Sequence, residues 1–178
     1  MLLAHHLKQT NIAAYVLYLW QMEDLLRAIN FDTSKAKAFL IKESDTNKED
    51  VKNTELWIES LVEMMRNEKV ETAGHIQVVI NVMNEIEEFH QQLLRNNDGL
   101  YIQAFILAQP NIISYKAKSP QSSRPDTHVC LEAMYWLMLA RLSKKEASPA
   151  TVEAIETMSK MLDLLSKRYN EELKKSDS

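Results

Sequence analysis

Glycine occurs only twice in the 178 residues of this chain, at Gly74 and Gly99. An average globular protein contains about 7% glycine, and proteins built from sheets use it at hairpin turns and bulges. All four prolines follow residue 109, so the first three-fifths of the chain has no proline that could interrupt a helix. Together these features predict an all-α fold.

The apolar residues recur at spacings of three and four, which is typical of helices that each bury one face. We predict five long and two short helices in an up-and-down bundle, forming one domain over residues 1–178. The first and sixth predicted helices are our candidates for its centre, and Phe39 and Trp136 are expected to point inward. Residues with capping or helix-starting chemistry mark the predicted starts: Thr10 or Asn11, Asp32 to Ser34, the capping box Thr46-Asn47-Lys48-Glu49, Asp126 or Thr127, and Ser148-Pro149.

Three segments are predicted to leave the helices. Gly99 follows Asn96-Asn97-Asp98 and suits the left-handed position after a helix. Pro110 is expected to end a short helix over residues 100–108, and residues 112–125 are then a long loop. The charged tail, residues 171–178, is expected to fray.

Net charge and cysteine content limit the possible partners and compartments. The net charge is −4, so no overall positive field is present to bind nucleic acid. The longest nearly apolar run, residues 12–22, is shorter than the roughly 20 residues that span a bilayer. One cysteine and the lack of an export signal predict a reducing, cytoplasmic location, with no nucleic acid or membrane as partner.

Two histidines are weak candidates for metal chemistry. Glu87 and His90 form a Glu-x-x-His pattern, but a di-iron helical site needs a second such pair, and no other histidine follows an acid by three residues. We interpret His90 as part of an apolar helical stripe, with a satisfied hydrogen bond. The pair of Glu71 and His75, four residues apart, is weaker still. No metal or cofactor is predicted.

Cys130 and His128 lie two residues apart in a predicted helix, so their side chains point in different directions. They cannot form a nucleophile and base within that helix. A buried cysteine behaves as a small apolar residue, and we predict this role for Cys130.

Six polar residues on the two candidate central helices need an explanation, because a buried charge requires a partner. One interpretation is a structural salt-bridge network, or exposed helix ends; the other is a polar pocket between helices for a small anionic or zwitterionic ligand. The six residues are Gln21, Glu23, Asp24, Arg27, Glu132 and Arg141, of which Glu23, Arg27, Glu132 and Arg141 are the predicted pocket residues.

The catalytic role remains unknown, since no catalytic motif stands out. We expect a non-enzymatic interaction protein that acts as a homo-oligomer, most simply a homodimer, because the first, fifth and sixth predicted helices are apolar over most of their circumference. The alternative is a ligand-binding protein or enzyme that uses the polar pocket. The basic residues Lys116, Lys118 and Arg124 could also contact an acidic partner.

Several segments resemble one protein family. The most specific are Asn11 to Ala13 and Tyr18 to Ala28, supported by Cys130 to Leu142 and Ser148 to Tyr169. They are similar to a family of short bacterial proteins, typical of Bacteroides and its relatives, known as domain-of-unknown-function family 4924. The resemblance covers nearly the whole chain and implies an all-helical bacterial protein. It implies no activity, substrate, cofactor or functional residue.

Overall fold

A computed structural model describes residues 3–41, 47–118 and 123–176. Within these ranges the chain forms helices and no strand, so the predicted all-α class is confirmed. None of the described helices is long and apolar enough to cross a membrane. The helices, in chain order, are α1 (Leu3–Thr10), α2 (Ile12–Ala28), α3 (Thr33–Leu40), α4 (Lys48–Asn67), α5 (Gln77–Arg95), α6 (Gly99–Ala117), α7 (Asp126–Leu142) and α8 (Pro149–Ser176).

The chain divides into two compact units. The N-unit comprises Met1–Gln9 and Ala14–Asn81, and the C-unit comprises Thr10–Ala13 and Val82–Ser178. The single domain expected over residues 1–178 stays a prediction.

In the N-unit, α3 packs against α4. The side chain of Asp32 caps α3 by accepting the backbone N–H groups of Ser34 and Lys35, as predicted. Ala36 is buried, but Phe39 is 69% exposed, so the prediction that Phe39 points inward is wrong. A helix of eight residues buries one narrow side, and here that side follows Ala36 and the half-buried Leu40.

The starts of two N-unit helices differ from the predictions. Asn47 caps α4 by accepting the N–H groups of Glu49 and Asp50; the predicted cap, Thr46, lies outside the described residues. Helix α1 was not predicted; of its eight residues, Ala4 is the buried one.

In the C-unit, α8 packs against both α6 and α7, which also pack against each other. The predicted stripe of α8 is buried throughout, and Ser148 caps the helix by accepting the N–H of Thr151 at 3.2 Å. The stripe consists of Ile155, Met158, Leu162, Leu165 and Tyr169.

The C-terminal end of α8 corrects one prediction. The helix continues to Ser176. The prediction that the chain frays from residue 171 is therefore wrong for the residues that the structure describes. Surface ion pairs three residues apart, Arg168 with Glu171 and Glu172 with Lys175, support these last turns.

Helix α6 is the main correction to the predicted architecture. It runs through Pro110 to Ala117, so the predicted short helix is long and residues 112–117 are not loop. Proline removes one backbone donor from a helix interior. Beyond it, Ile112 is fully buried and the Asn111 amide donates to the Thr157 hydroxyl of α8 at 2.9 Å, so packing maintains the helix.

The turn before α6 also differs from the prediction. Asn97, with φ of 53°, occupies the left-handed position, and Asp98 caps α6 by accepting the N–H of Tyr101 at 3.0 Å. Gly99 is the first residue of α6 instead of the left-handed residue after α5. Asparagine tolerates this conformation because its short polar side chain binds locally.

Neither predicted cap of α7 has that role. Pro125 is at the cap position without a side-chain hydrogen bond, Asp126 pairs with Lys116, and the Thr127 hydroxyl donates to Glu87. The side chains that could have capped α7 bind neighbouring helices instead.

Helix α7 is not buried on all sides. One side is buried, including Cys130, Ala133 and Leu137, whereas Trp136 is 46% exposed and Leu142 is also exposed. Trp136 therefore does not point inward as predicted. An apolar composition identifies a helix that can be buried on all sides. Which side of α7 is buried depends on the packing of α6 and α8 against it.

Candidate functional site

The four predicted pocket residues lie in two separate units. Glu23 and Arg27 belong to α2 in the N-unit, and Glu132 and Arg141 belong to α7 in the C-unit. Each pair has its own set of contacts.

Glu23 is fully buried, and both of its carboxylate oxygens have partners. Oε1 accepts the backbone N–H of Ile76 at 2.9 Å, and Oε2 lies 2.6 Å from Nδ1 of His75. Ile76 immediately precedes α5, so the carboxylate fixes the entry of the chain into that helix. A carboxylate with two such contacts satisfies the requirement that a buried acid be paired.

His75 is clamped between a carboxylate and an aromatic ring. Its ring stacks on Trp20 of α2, with ring centroids 4.8 Å apart and planes 13° apart. A carboxylate that holds one imidazole nitrogen fixes the orientation of the ring, which is the supporting half of a general-base arrangement. One third of the His75 side chain is exposed to solvent.

Arg27 binds the same connection between α4 and α5. Its guanidinium donates to the backbone carbonyls of Val70 and Gly74 and pairs with Asp24 at 2.9 Å. Gly74 has φ of +89°, a conformation that L-residues rarely adopt. One turn of α2 thus holds residues 70–76 through an acid and a base.

His75 is a functional partner that sequence reasoning missed. It was weighed only with Glu71, four residues earlier, whereas its actual partner Glu23 is 52 residues away. No local spacing rule could have connected the two.

In the C-unit, Glu132 and Arg141 are not a pair. Glu132 forms an ion pair with Arg124, eight residues earlier. Arg141 is exposed and lines a shallow depression with Leu142 and Glu156. Nine residues of helix separate the two positions by about 14 Å along the axis.

His90 is fully buried on α5, and its Nδ1 lies 2.6 Å from the hydroxyl of Tyr101 on α6. The predicted stripe histidine with a hydrogen bond is confirmed at this nitrogen, although Nε2 has no hydrogen-bond partner among the residues that the structure describes. Burial lowers the pKa of His90, and the nearby acids Glu87 and Asp126 partly oppose that shift.

The acid of the Glu-x-x-His pattern has another partner. Glu87 accepts hydrogen bonds from the hydroxyl of Thr127 at 2.6 Å and from its backbone N–H at 3.3 Å. Among the described residues, no three histidine, cysteine, aspartate or glutamate side chains are close enough together to hold a metal ion.

Cys130 is fully buried, and burial raises the pKa of its thiol. The prediction that it is a small apolar core residue is confirmed. Its neighbour His128 has a pKa lowered by burial, opposed by a hydrogen bond with the backbone of Met83.

One face of α6 exposes large aliphatic side chains in a regular pattern. Leu100 and Leu107 are seven residues apart, as are Ile106 and Ile113, and all four are more than half exposed. The sequence from Gly99 to Tyr115 contains no charged residue. Residues seven apart lie on one side of a helix, so Leu100 and Leu107 form one row and Ile106 and Ile113 form a second row, about a third of the way around the helix. The exposed residues Gln103 and Ser114 lie between the two rows. We call Leu100, Ile106, Leu107 and Ile113 the α6 face.

Comparison with known proteins identifies one match. A family model described as a domain of unknown function (DUF4924) matches residues 1–176. No curated protein matches the chain, and neither does any solved structure.

Proposed function

We propose that this chain, which belongs to the DUF4924 family, is a non-enzymatic protein that acts as a homodimer through the α6 face. The proposal depends on one observation: four large aliphatic side chains are exposed along an uncharged helix face. Large aliphatic side chains grouped on the exposed surface of one helix are typical of interaction sites.

The positions of the four residues favour a second copy of the chain as the partner. Leu100 and Ile113 are equally distant from the midpoint between Ile106 and Leu107. A two-fold interface requires that residue i of one copy contact residue j of the other, and j contact i. Two antiparallel α6 helices would place the row of Leu100 and Leu107 beside the same row of the other copy, and the row of Ile106 and Ile113 likewise, with Leu107 and Ile106 nearest the axis.

The absence of charge along the sequence of α6 from Gly99 to Tyr115 supports the same partner. When a face meets its own copy, every charge near the axis meets a like charge, which opposes association. An uncharged face avoids this cost. A separate helix partner could also bind here, and the experiment below distinguishes the two.

The test is the mass in solution, measured by sedimentation or light scattering at micromolar concentration. We expect the mass of two chains for the native protein and of one chain for Leu107→Glu, because two carboxylates would meet near the axis. Phe39→Glu is the matched control, since Phe39 and Leu107 are both 69% exposed, and it should leave the dimer intact.

A mixing experiment identifies the partner as a second copy. Leu107→Glu and Leu107→Lys chains should each be monomeric alone and form a dimer when mixed, because opposite charges then meet. A native chain with the mass of one copy, or a mixture that stays monomeric, contradicts the proposal.

We further propose that the protein works in a reducing compartment, the cytoplasm. The support is its cysteine chemistry: the chain has one cysteine, which is buried and cannot form a disulfide with another cysteine of the same chain. Fractionation of the native cell, with antibody detection of the protein, tests this location.

A further inference from the structure

A cleft in the C-unit, distinct from the predicted polar pocket, has the composition of a ligand site. It has a volume of about 720 Å³ and lies among the C-terminal part of α6, the middle of α7 and the first turns of α8. Binding sites for small molecules commonly measure about 300–1,000 Å³. Neither Glu23, Arg27, Glu132 nor Arg141 lines it.

The apolar part of the cleft consists of α8 residues and one tryptophan. Ile155 and Met158 are buried residues of α8 whose side chains reach the cleft, and Trp136 lies on the α7 side. Trp136 is 46% exposed, although tryptophan is usually well buried. A half-exposed indole at the edge of a cleft offers a planar apolar surface to a ligand.

Among the lining residues that the structure describes, the charged ones are both cations, Lys118 and Arg124. Glu132 pairs with Arg124 and is not a lining residue. It therefore orients the guanidinium beside the cleft and offsets part of its charge, while Lys118 adds a second cation to the lining. Asymmetric charge of this kind selects anions, and arginine in particular binds carboxylates and phosphates with two parallel hydrogen bonds.

Neutral donors surround the two cations. Tyr115 lies half-buried in the lining, and burial raises the pKa of its phenol, with Glu132 adding to the shift and Arg124 opposing it. Asn111 and Thr151 also line the cleft. A protonated phenol and an amide can donate hydrogen bonds to an anionic head group without repelling it.

We propose that this cleft binds a small organic anion, with its carboxylate or phosphate group at Arg124 and Lys118 and a planar apolar body against Trp136, Ile155 and Met158. This role is independent of dimerisation, since none of the four residues of the α6 face lines the cleft.

Binding can be measured by calorimetry and by tryptophan fluorescence with three probes that share one ring system. These are 1-naphthyl phosphate, 1-naphthaleneacetate and the neutral 2-(1-naphthyl)ethanol. We expect both anions to saturate a single site and the alcohol to bind about tenfold more weakly, because one charge-assisted hydrogen bond accounts for roughly that factor. The ratio of the two anion affinities identifies the preferred head group.

Substitutions of opposite sign test the role of charge. Arg124→Gln should weaken anion binding about tenfold, and Lys118→Gln should weaken it less, as expected for a residue that acts as a point charge. Glu132→Gln should tighten anion binding, because it removes the competing carboxylate from Arg124. Arg141→Gln is the matched control on α7 and should change the affinity by less than about twofold, as rim charges outside a site do.

A second pair of variants tests the apolar surface. Trp136→Ala should weaken all three probes and abolish most of the fluorescence change, whereas Leu139→Ala, also at an exposed position of α7, should not. Circular dichroism of each variant confirms that the helices remain. Equal affinity for the alcohol and the anions, or an Arg124→Gln variant that binds as the native chain does, overturns the proposal.

Discussion

Glu23 in the N-unit and His90 in the C-unit are both fully buried polar side chains, yet their surroundings differ. Both oxygens of Glu23 have partners, which lie 52 and 53 residues away along the chain. Within the described part of the chain, His90 has one hydrogen-bond partner, Tyr101, which is 11 residues away, and its second nitrogen has none. The contacts of Glu23 link segments that are distant along the chain. The burial of His90 favours its neutral form inside the core.

The comparison shows that burial alone does not determine the cost of losing a polar group. Removing one member of a fully paired buried set leaves several orphaned partners, whereas a group with one partner leaves one. Glu23 should therefore matter more to stability than His90 and its neighbour at neutral pH, and the four predictions below are ordered by the size of the effect.

The largest effect is expected for Glu23→Ala. It leaves the Ile76 N–H and His75 without their buried acceptor and should lower the free energy of unfolding by about 3–5 kcal/mol. Urea denaturation measures it. The exposed Glu59→Ala on α4 is the control and should change stability by no more than about 0.5 kcal/mol. Similar small losses in both variants would show that Glu23 does not hold the chain together.

Tyr101→Phe should cost less, about 1–3 kcal/mol. The substitution keeps the buried ring but removes the hydroxyl, so neither nitrogen of His90 has a hydrogen-bond partner among the described residues. Urea denaturation at pH 8, where the imidazole is neutral in both folded and unfolded chains, isolates the hydrogen bond. A loss as large as that of Glu23→Ala would break the contrast between the two sites.

Acid should destabilise the C-unit through His90 and His128. Burial lowers the pKa of both below the ordinary value of 6.5, so the unfolded chain binds their protons first. The contribution of the two histidines to the free energy of unfolding is therefore fully present above about pH 6.5. It falls as the pH drops below that value, by up to about 1.4 kcal/mol per pH unit for each histidine. Glu87 and Asp126 moderate the fall at His90.

The variant His90→Gln should flatten this pH dependence, and the exposed His5→Gln should not change it. The measurement is the free energy of unfolding in urea between pH 5 and pH 7.5. An unchanged slope in His90→Gln would remove His90 from the set of groups that respond to acid.

Trp136→Ala is expected to have the smallest effect, less than about 1 kcal/mol, because nearly half of its side chain already contacts solvent. The helical pattern alone predicts a core position, for which the cost would be about 3–5 kcal/mol. Thermal unfolding followed by circular dichroism distinguishes the two values. A large loss would return Trp136 to the core and weaken the case for a ligand cleft.

Local sequence rules predicted the structure correctly where a helix buries a single stripe of apolar residues or begins at a capping residue. The buried positions of α8 and the cap of α3 follow directly from spacing and capping chemistry. They failed for α6, because burial of Ile112 and the bond from Asn111 to Thr157 maintain the helix beyond Pro110. These are tertiary effects that a local rule for proline does not include.

The predicted site residues show the same limit. Glu23 and Arg27 are predicted pocket residues on one helix, and the structure adds that Glu23 directs its oxygens to His75 and Ile76. Glu132 and Arg141 are predicted pocket residues on another helix, where Glu132 pairs with Arg124. A single sequence indicates which side chains need partners; which partners they find depends on segments brought together by folding.

Cys130, the single thiol of this protein, is sealed within the C-unit and held in its unreactive protonated form by burial. The thiolate is the species that attacks a disulfide reagent, so reaction with such a reagent requires that the surrounding helices separate. The rate of that reaction therefore measures how often the C-unit opens, without the need to introduce another cysteine. A comparison of this rate in the native chain and in the Glu23→Ala variant would show whether destabilising the N-unit changes the rate at which Cys130 reacts.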